Sequence, residues 1–208
     1  DDTIVFFYSD HGTGIPRGKR FLHLSGTHVP LIIRFPKKYA HLAPAGPGET
    51  TDRLVSFVDF APTLLSLLGL EIPDDVQGEP FLGAAQTEPR EYVFATRDRV
   101  DEVYEFSRAV FDGRYQYIRN YFPYLPRMQY SFYSEQTQTR QELRRLAAGG
   151  ELSGTEAWLM QPNRAAEELY DTQADPHQVN NLIGSGDHAD IHRRLKAKLG
   201  DWMVRVRD

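Results

Sequence analysis

The chain opens on a short, continuous apolar run, Thr3-Ile4-Val5-Phe6-Phe7-Tyr8, bounded by turn residues. Such a run predicts a strand covered on both faces, as in the middle of a parallel sheet. Pro30-Leu31-Ile32-Ile33-Arg34-Phe35, closed by Pro36, predicts a second. Leu54-Val55-Ser56-Phe57-Val58 reads as a short strand or extended lead into Asp59. The period then changes. Leu64, Leu65, Leu67 and Leu68 form an apolar helical face, with Asp59 as N-cap, Pro62 in the first turn and Gly69 as the stop. Residues 71–88 are punctuated by Pro73, Gly78, Pro80 and Gly83, and predict the seam between two subdomains.

Beyond Pro89 the texture is that of an antiparallel meander. Residues 92–96 are strand-like, 106–111 alternate, Asp112-Gly113 is a hairpin turn signal, and 115–119 form the return strand. Residues 120–139 are irregular and rich in aromatics: Tyr121, Phe122, Tyr124, Tyr130, Phe132 and Tyr133. They read first as packing over the sheet and second as a sugar-binding face. Residues 136–148 predict a charged, solvated helix, and 168–171 a short strand entering a turn. Residues 188–206 carry Ile191, Leu195, Leu199, Trp202 and Met203, which predicts a closing amphipathic helix.

Composition narrows the function classes. The 208 residues carry 24 Lys and Arg against 29 Asp and Glu, a formal charge of −5 that disfavours non-specific nucleic-acid binding. No stretch is apolar for long enough to predict a membrane span. There is no Cys, which removes disulfides, thiolate metal sites and cysteine nucleophiles. A parallel strand directly after Asp1-Asp2 needs neighbours that the following sequence hardly offers, so part of the sheet is expected upstream of residue 1.

The candidate chemistry follows the first strand. Tyr8-Ser9-Asp10-His11-Gly12 ends it on a carboxylate and an imidazole side by side, and Gly14, Pro16, Gly18 and Lys19 follow. Ligands of open α/β sheets sit beyond the carboxyl ends of strands. Asp and neutral His both ligate divalent metals, and Lys19 offers a fixed positive charge to an anion. The same pair also fits an ordinary turn, in which Asp bonds its own backbone, and two ligands do not make a closed site. Arg17 and Arg20 are further candidates for the pocket rim, and His23, though on the same stretch, is expected not to line the pocket. His28 is expected to bond locally at the strand start, and His177, after a turn proline, to be structural.

Several of these pieces, in order and at their spacing, carry a resemblance. They are residues 3–12 ending in Ser-Asp-His-Gly, Val29-Pro30-Leu31-Ile32-Ile33, the stretch 55–69 with Val-Asp-Phe-Ala-Pro-Thr-Leu-Leu, Gln77-Gly78, Glu168-Leu169-Tyr170-Asp171, Asp175-Pro176 and Asn181-Leu182. The chain resembles the C-terminal portion of a sulfatase of the alkaline phosphatase superfamily. Gly14-Ile15-Pro16, Gly18-Lys19 and Gly26-Thr27 are most similar to the heparan N-sulfatase (sulfamidase) branch. The resemblance implies an α/β fold in which residues 1–88 are the last part of a mixed, mostly parallel sheet core. Residues 89–208 would then be a small antiparallel sheet with a C-terminal helix.

It also implies that Asp10 and His11 are two ligands of a divalent metal, usually calcium with other divalent ions as alternatives, and that Lys19 touches the sulfate. The family's nucleophile is a formylglycine made from Cys or Ser in a Cys/Ser-x-Pro-x-Arg motif, which these 208 residues do not contain and which is expected upstream. The implied substrate is a sulfated sugar, the implied partner the missing N-terminal half of the catalytic domain, and the implied location periplasmic or secreted. Two other readings stand beside this one. Asp-His is also the pair of phosphonate and phosphodiester hydrolases of the superfamily. Without a nucleophile, the chain also fits a non-catalytic module packed on a partner.

Overall fold

A computed structural model describes residues 2–208. Its strands are β1 (Val5–Tyr8), β2 (Leu31–Arg34), β3 (Val93–Arg97), β4 (Ser107–Phe111), β5 (Tyr115–Asn120) and β6 (Glu167–Asp171). Its α-helices are α1 (Leu24–Thr27), α2 (Phe60–Leu68), α3 (Gln138–Ala148), α4 (Gly154–Leu159) and α5 (Ala189–Val206). The chain divides into two compact units, residues 2–9 with 30–93 and residues 10–29 with 94–208. The Gly-rich loop after β1 therefore packs with the second unit.

In the first unit β1 pairs with β2 in antiparallel register, Phe6 opposite Ile33 and Phe7 opposite Ile32. This corrects the expectation of parallel pairing in a doubly covered strand. Among the described residues β2 is the strand neighbour of β1, and Phe7 stays 62% and Ile32 60% exposed. The apolar run that suits a central strand thus lies on an open ribbon. Its inner residues pack on α2: the Phe60 ring lies 6.3 Å from Phe6, 5.0 Å from Tyr8 and 6.0 Å from Phe81.

Helix α2 lies between Asp59 and Gly69, and Gly69 closes it with a left-handed φ of 67°, as its sequence signals predict. Asp59 stands at the N-cap position but makes no side-chain cap to this helix; its carboxylate is used elsewhere. It is almost fully buried; one oxygen accepts the Ser56 N–H at 2.8 Å, and the other accepts the Glu79 N–H at 2.9 Å and the Arg90 guanidinium. Thr63 and Ser66 accept the N–H groups of Phe81 and Ala85, each at 3.0 Å. The proline-rich seam is thereby held on the polar face of α2, because the N–H groups of Glu79, Phe81 and Ala85 find side-chain acceptors there.

The second unit is built on a four-stranded sheet ordered β3-β4-β5-β6, in which β4–β5 and β5–β6 are antiparallel. Gly113, at φ 94°, makes the hairpin turn between β4 and β5, and the Asp112 carboxylate accepts the N–H groups of Arg114 and Tyr115. Val110, Ile118, Leu169 and Tyr170 are buried on the sheet, and Leu195 and Leu199 are buried on α5. Each such side chain contributes roughly 1.5–3 kcal/mol by leaving water. Trp202 of α5 stacks on Phe94 at 4.8 Å and 4°. The closing helix and the antiparallel sheet are thus as expected from the sequence.

The aromatic stretch departs from its packing role. Tyr121 and Phe122 do pack on Phe106, at 4.3 and 6.2 Å, but Tyr124, Tyr130, Phe132 and Tyr133 are exposed. What anchors the stretch is polar. Glu135 receives Arg140 at 3.1 Å and Arg144 at 2.7 Å, and the carbonyls of Met128 and Gln129 accept from the same two arginines.

Candidate active-site loop

The loop 10–29 folds back on itself through its own backbone. Gly12 N–H donates to Gly26 O at 3.0 Å, Lys19 N–H to Thr13 O at 2.7 Å, and Phe21 N–H to Gly18 O at 3.1 Å. Three glycines permit these crossings. A Cβ on Gly12 would lie 1.9 Å from the Ser25 carbonyl oxygen, on Gly18 2.3 Å from that of Thr13, and on Gly26 2.2 Å from that of Phe21. Arg17 and Arg20 take positive φ values of 60° and 75°. Gly12→Ala should therefore force the two halves of the loop apart and lower stability by about 1–3 kcal/mol, read as a fall in the thermal midpoint.

At the head of the loop, His11 Nδ1 lies 2.7 Å from the Gly12 carbonyl oxygen, so this nitrogen carries the hydrogen. In the neutral ring the lone pair is then on Nε2, which lies 3.5 Å from Asp10 Oδ1. Two ligand atoms about 2.4 Å from one cation and about 90° apart are separated by a similar distance. The backbone carbonyl fixing the tautomer is the usual outer partner of a ligating histidine. The pair therefore fits a divalent cation. Carboxylate oxygen suits calcium, magnesium or manganese, whereas imidazole suits zinc and its neighbours, so these donors do not single out one ion. Among the described residues, no three His, Cys, Asp or Glu converge on one point.

Lys19 is held beside Tyr133. Its Nζ lies 3.3 Å from the phenol oxygen and 5.0 Å from the ring centre. Arg20 shares that ring at 4.7 Å and pairs with Asp101 at 2.6 Å. Arg17 turns inward: its guanidinium donates to the carbonyls of His177 and Gln178 and lies 5.5 Å from the Trp158 ring. His177 thus contributes a carbonyl, as its structural reading expects. His28 is exposed, with its N–H on Leu24 O at 2.8 Å.

The tail of the loop is pinned to the sheet by residues that local sequence did not flag. Gln178 accepts the Leu24 N–H at 2.7 Å and donates to Gln116, which donates to Leu22 O at 2.7 Å. His23, expected not to line the pocket, is a buried anchor. Its Nε2 lies 3.3 Å from Glu168, and its ring lies 5.7 Å from that of Tyr170. Glu168 also accepts from Asn120 at 2.7 Å, Arg127 at 3.0 Å and Tyr170 at 2.5 Å. Burial alone would raise the Glu168 pKa, but the His23 hydrogen bond and the neighbouring cationic charge hold it well below the usual carboxylate range.

Burial lowers the His23 pKa more than Glu168 raises it. A folded pKa below the unfolded value means that the unfolded chain binds the proton first. The contribution is complete above the unfolded pKa of about 6.5 and is lost as pH falls toward the folded one. Glu167 and Asp171, each held at about 2, add a second loss as pH drops from about 4 to about 2. The thermal midpoint should therefore fall in two stages on acidification, the first with a slope of at most about 1.4 kcal/mol per pH unit. A His23→Gln variant should lack that first stage.

With this geometry in view, the comparisons become decisive. The sulfatase family profile matches residues 1–70. An ulvan-active sulfatase of Formosa agariphila is 40% identical over an alignment of 213 residues that covers all of this chain and 34% of that protein. The chain is similar to a sulfatase along its whole length. Human N-sulphoglucosamine sulphohydrolase is 27% identical over all of this chain and 43% of its own length. A solved putative sulfatase from Bacteroides thetaiotaomicron shares the fold, with a TM-score of 0.66 and 22% identity over 99% of this chain and 37% of that one. The chain thus spans roughly a third of the relatives it matches, and the family match includes the whole loop that bears Asp10, His11 and Lys19.

Proposed function

We propose that the protein to which this chain belongs is a hydrolase that removes sulfate from a sulfated carbohydrate, and that the loop 10–29 supplies part of its active site. The 40% identity to an ulvan-active sulfatase along the whole chain carries this reading. Asp10 and His11 would hold a divalent cation, with calcium as the first candidate. When bound, that cation supplies positive charge to oxygens that become more negative as the S–O or S–N bond breaks.

The chain's own residues do the rest of the local work. The Gly12 carbonyl fixes the His11 tautomer, which places the lone pair of the neutral ring on Nε2. Tyr133 restrains Lys19, so its ammonium can meet a sulfate oxygen without first being ordered, which lessens the entropic cost of binding. The formylglycine nucleophile lies outside these residues, and so do any further metal ligands. The open apolar ribbon of β1 and β2 would be covered by the rest of the catalytic domain, which suits an exposed patch of this kind.

Release of inorganic sulfate from sulfated oligosaccharides by the full-length protein tests the reading. Sulfate release well above release from matched phosphate and phosphonate esters is expected. Preferential cleavage of the phosphorus esters would transfer the protein to that branch, and inactivity toward both would leave it a binding module.

A further inference from the structure

Beside α4 lies a cleft of about 280 Å³ lined by Arg127, Trp158, Gln161, Asn163, Arg164 and Glu168, among others. It stands apart from Asp10, His11 and Lys19, none of which lines it. Two guanidinium groups line it, and each is paired with a buried carboxylate, Arg127 with Glu168 and Arg164 with Glu105. Glu168 is almost completely buried and already accepts from four side chains. Arg164 is 3% exposed at its side chain. Its terminal nitrogens are held by Glu105, one of them at 2.7 Å, and its buried Nε has no hydrogen-bond partner among the described residues. The Arg127 guanidinium carbon lies 4.2 Å from the Trp158 ring centre. Gln161 and Asn163 add exposed amides at the rim.

We propose that this cleft binds the carboxylate of a second, uronate ring on the same glycan. This rests on the sulfatase reading above and deepens it. The volume is too large for a lone inorganic anion and close to the lower end of ligand pockets, which suits a single ring. Guanidinium and amide donors without a competing free carboxylate match an oxyanion and ring hydroxyls. Trp158 also receives Arg17 at 5.5 Å, so the cleft adjoins the loop whose head carries the candidate metal residues. A glycan chain would thereby be held at one ring while a neighbouring sulfate is removed, and substrate choice would depend on charge away from the reacting bond.

Gln161→Glu combined with Asn163→Asp tests this in the full-length enzyme without disturbing the buried arginines. The probes are a sulfated oligosaccharide with a uronate ring next to the sulfated one, and the same compound with that carboxyl reduced to an alcohol. The variant should raise KM for the uronate substrate at least about tenfold relative to the reduced substrate, with the kcat ratio constant. An equal change in both, or in neither, would overturn the proposal. Calorimetric binding of the desulfated uronate oligosaccharide decides the matter even if the protein releases no sulfate. Weaker binding to the variant than to wild type supports the site, and equal binding overturns it.

Discussion

Asp10→Ala in the full-length, metal-loaded protein is expected to reduce sulfate release by at least about a thousandfold, equivalent to about 4 kcal/mol of lost transition-state stabilisation. Stability should hardly change, because the Asp10 side chain is 83% exposed and its described partner is the His11 ring at 3.5 Å. Surface changes of this kind usually lie within about 0.5 kcal/mol. Bound metal, measured by mass spectrometry after desalting, should fall in parallel. Full metal content with full activity in the variant would restore the plain-turn reading of the Asp-His pair.

The largest stability effect should come from Glu168→Ala. The substitution leaves the buried Arg127 guanidinium, 4% exposed, without its carboxylate and removes the acceptor for His23, Asn120 and Tyr170. Breaking one side of a buried ion pair costs about 3–5 kcal/mol. In a unit of this size that lowers the thermal midpoint by roughly 10 °C. Denaturant unfolding checks the value. Because His23 is one of the orphaned groups, hydrogen exchange should also show the tail of the loop, residues 21–26, opening more often. An effect below about 1 kcal/mol would mean that the network does not anchor the loop.

Much of this architecture was legible because local signals agreed with one another. Asp112-Gly113 between alternating strands, Gly69 after a leucine-rich face, and the apolar spacing of residues 191–203 each combine a turn or cap with a period. Where only one signal existed, expectation and structure part. The apolar run 3–8 predicts burial from composition, yet pairing depends on which strands are adjacent, and β2 meets β1 in antiparallel register. Helix α4 was missed because six residues at 154–159 give too short a pattern. The exposed aromatics at 124–133 carry no period that separates packing from display.

The loop shows the same division. Its glycines and its Asp-His pair are visible as a motif, and the sulfatase resemblance follows from the order of such motifs. The restraint of Lys19 by Tyr133, 114 residues away, leaves no trace in spacing. Nor does the clamp of Gln178 on Leu24. His23 looked like a weak pocket candidate because an isolated histidine does not reveal its burial, and its carboxylate partner lies 145 residues on.

A crystal structure of the full-length protein with bound cation and sulfate, recorded with anomalous data at an absorption edge of the metal or with calcium's own signal, tests the central claim most directly. The predicted result is one ion within about 2.6 Å of both an Asp10 oxygen and His11 Nε2, with Lys19 Nζ in hydrogen-bond contact with a sulfate oxygen. An ion held wholly by other residues, with neither Asp10 nor His11 in its coordination sphere, would contradict it.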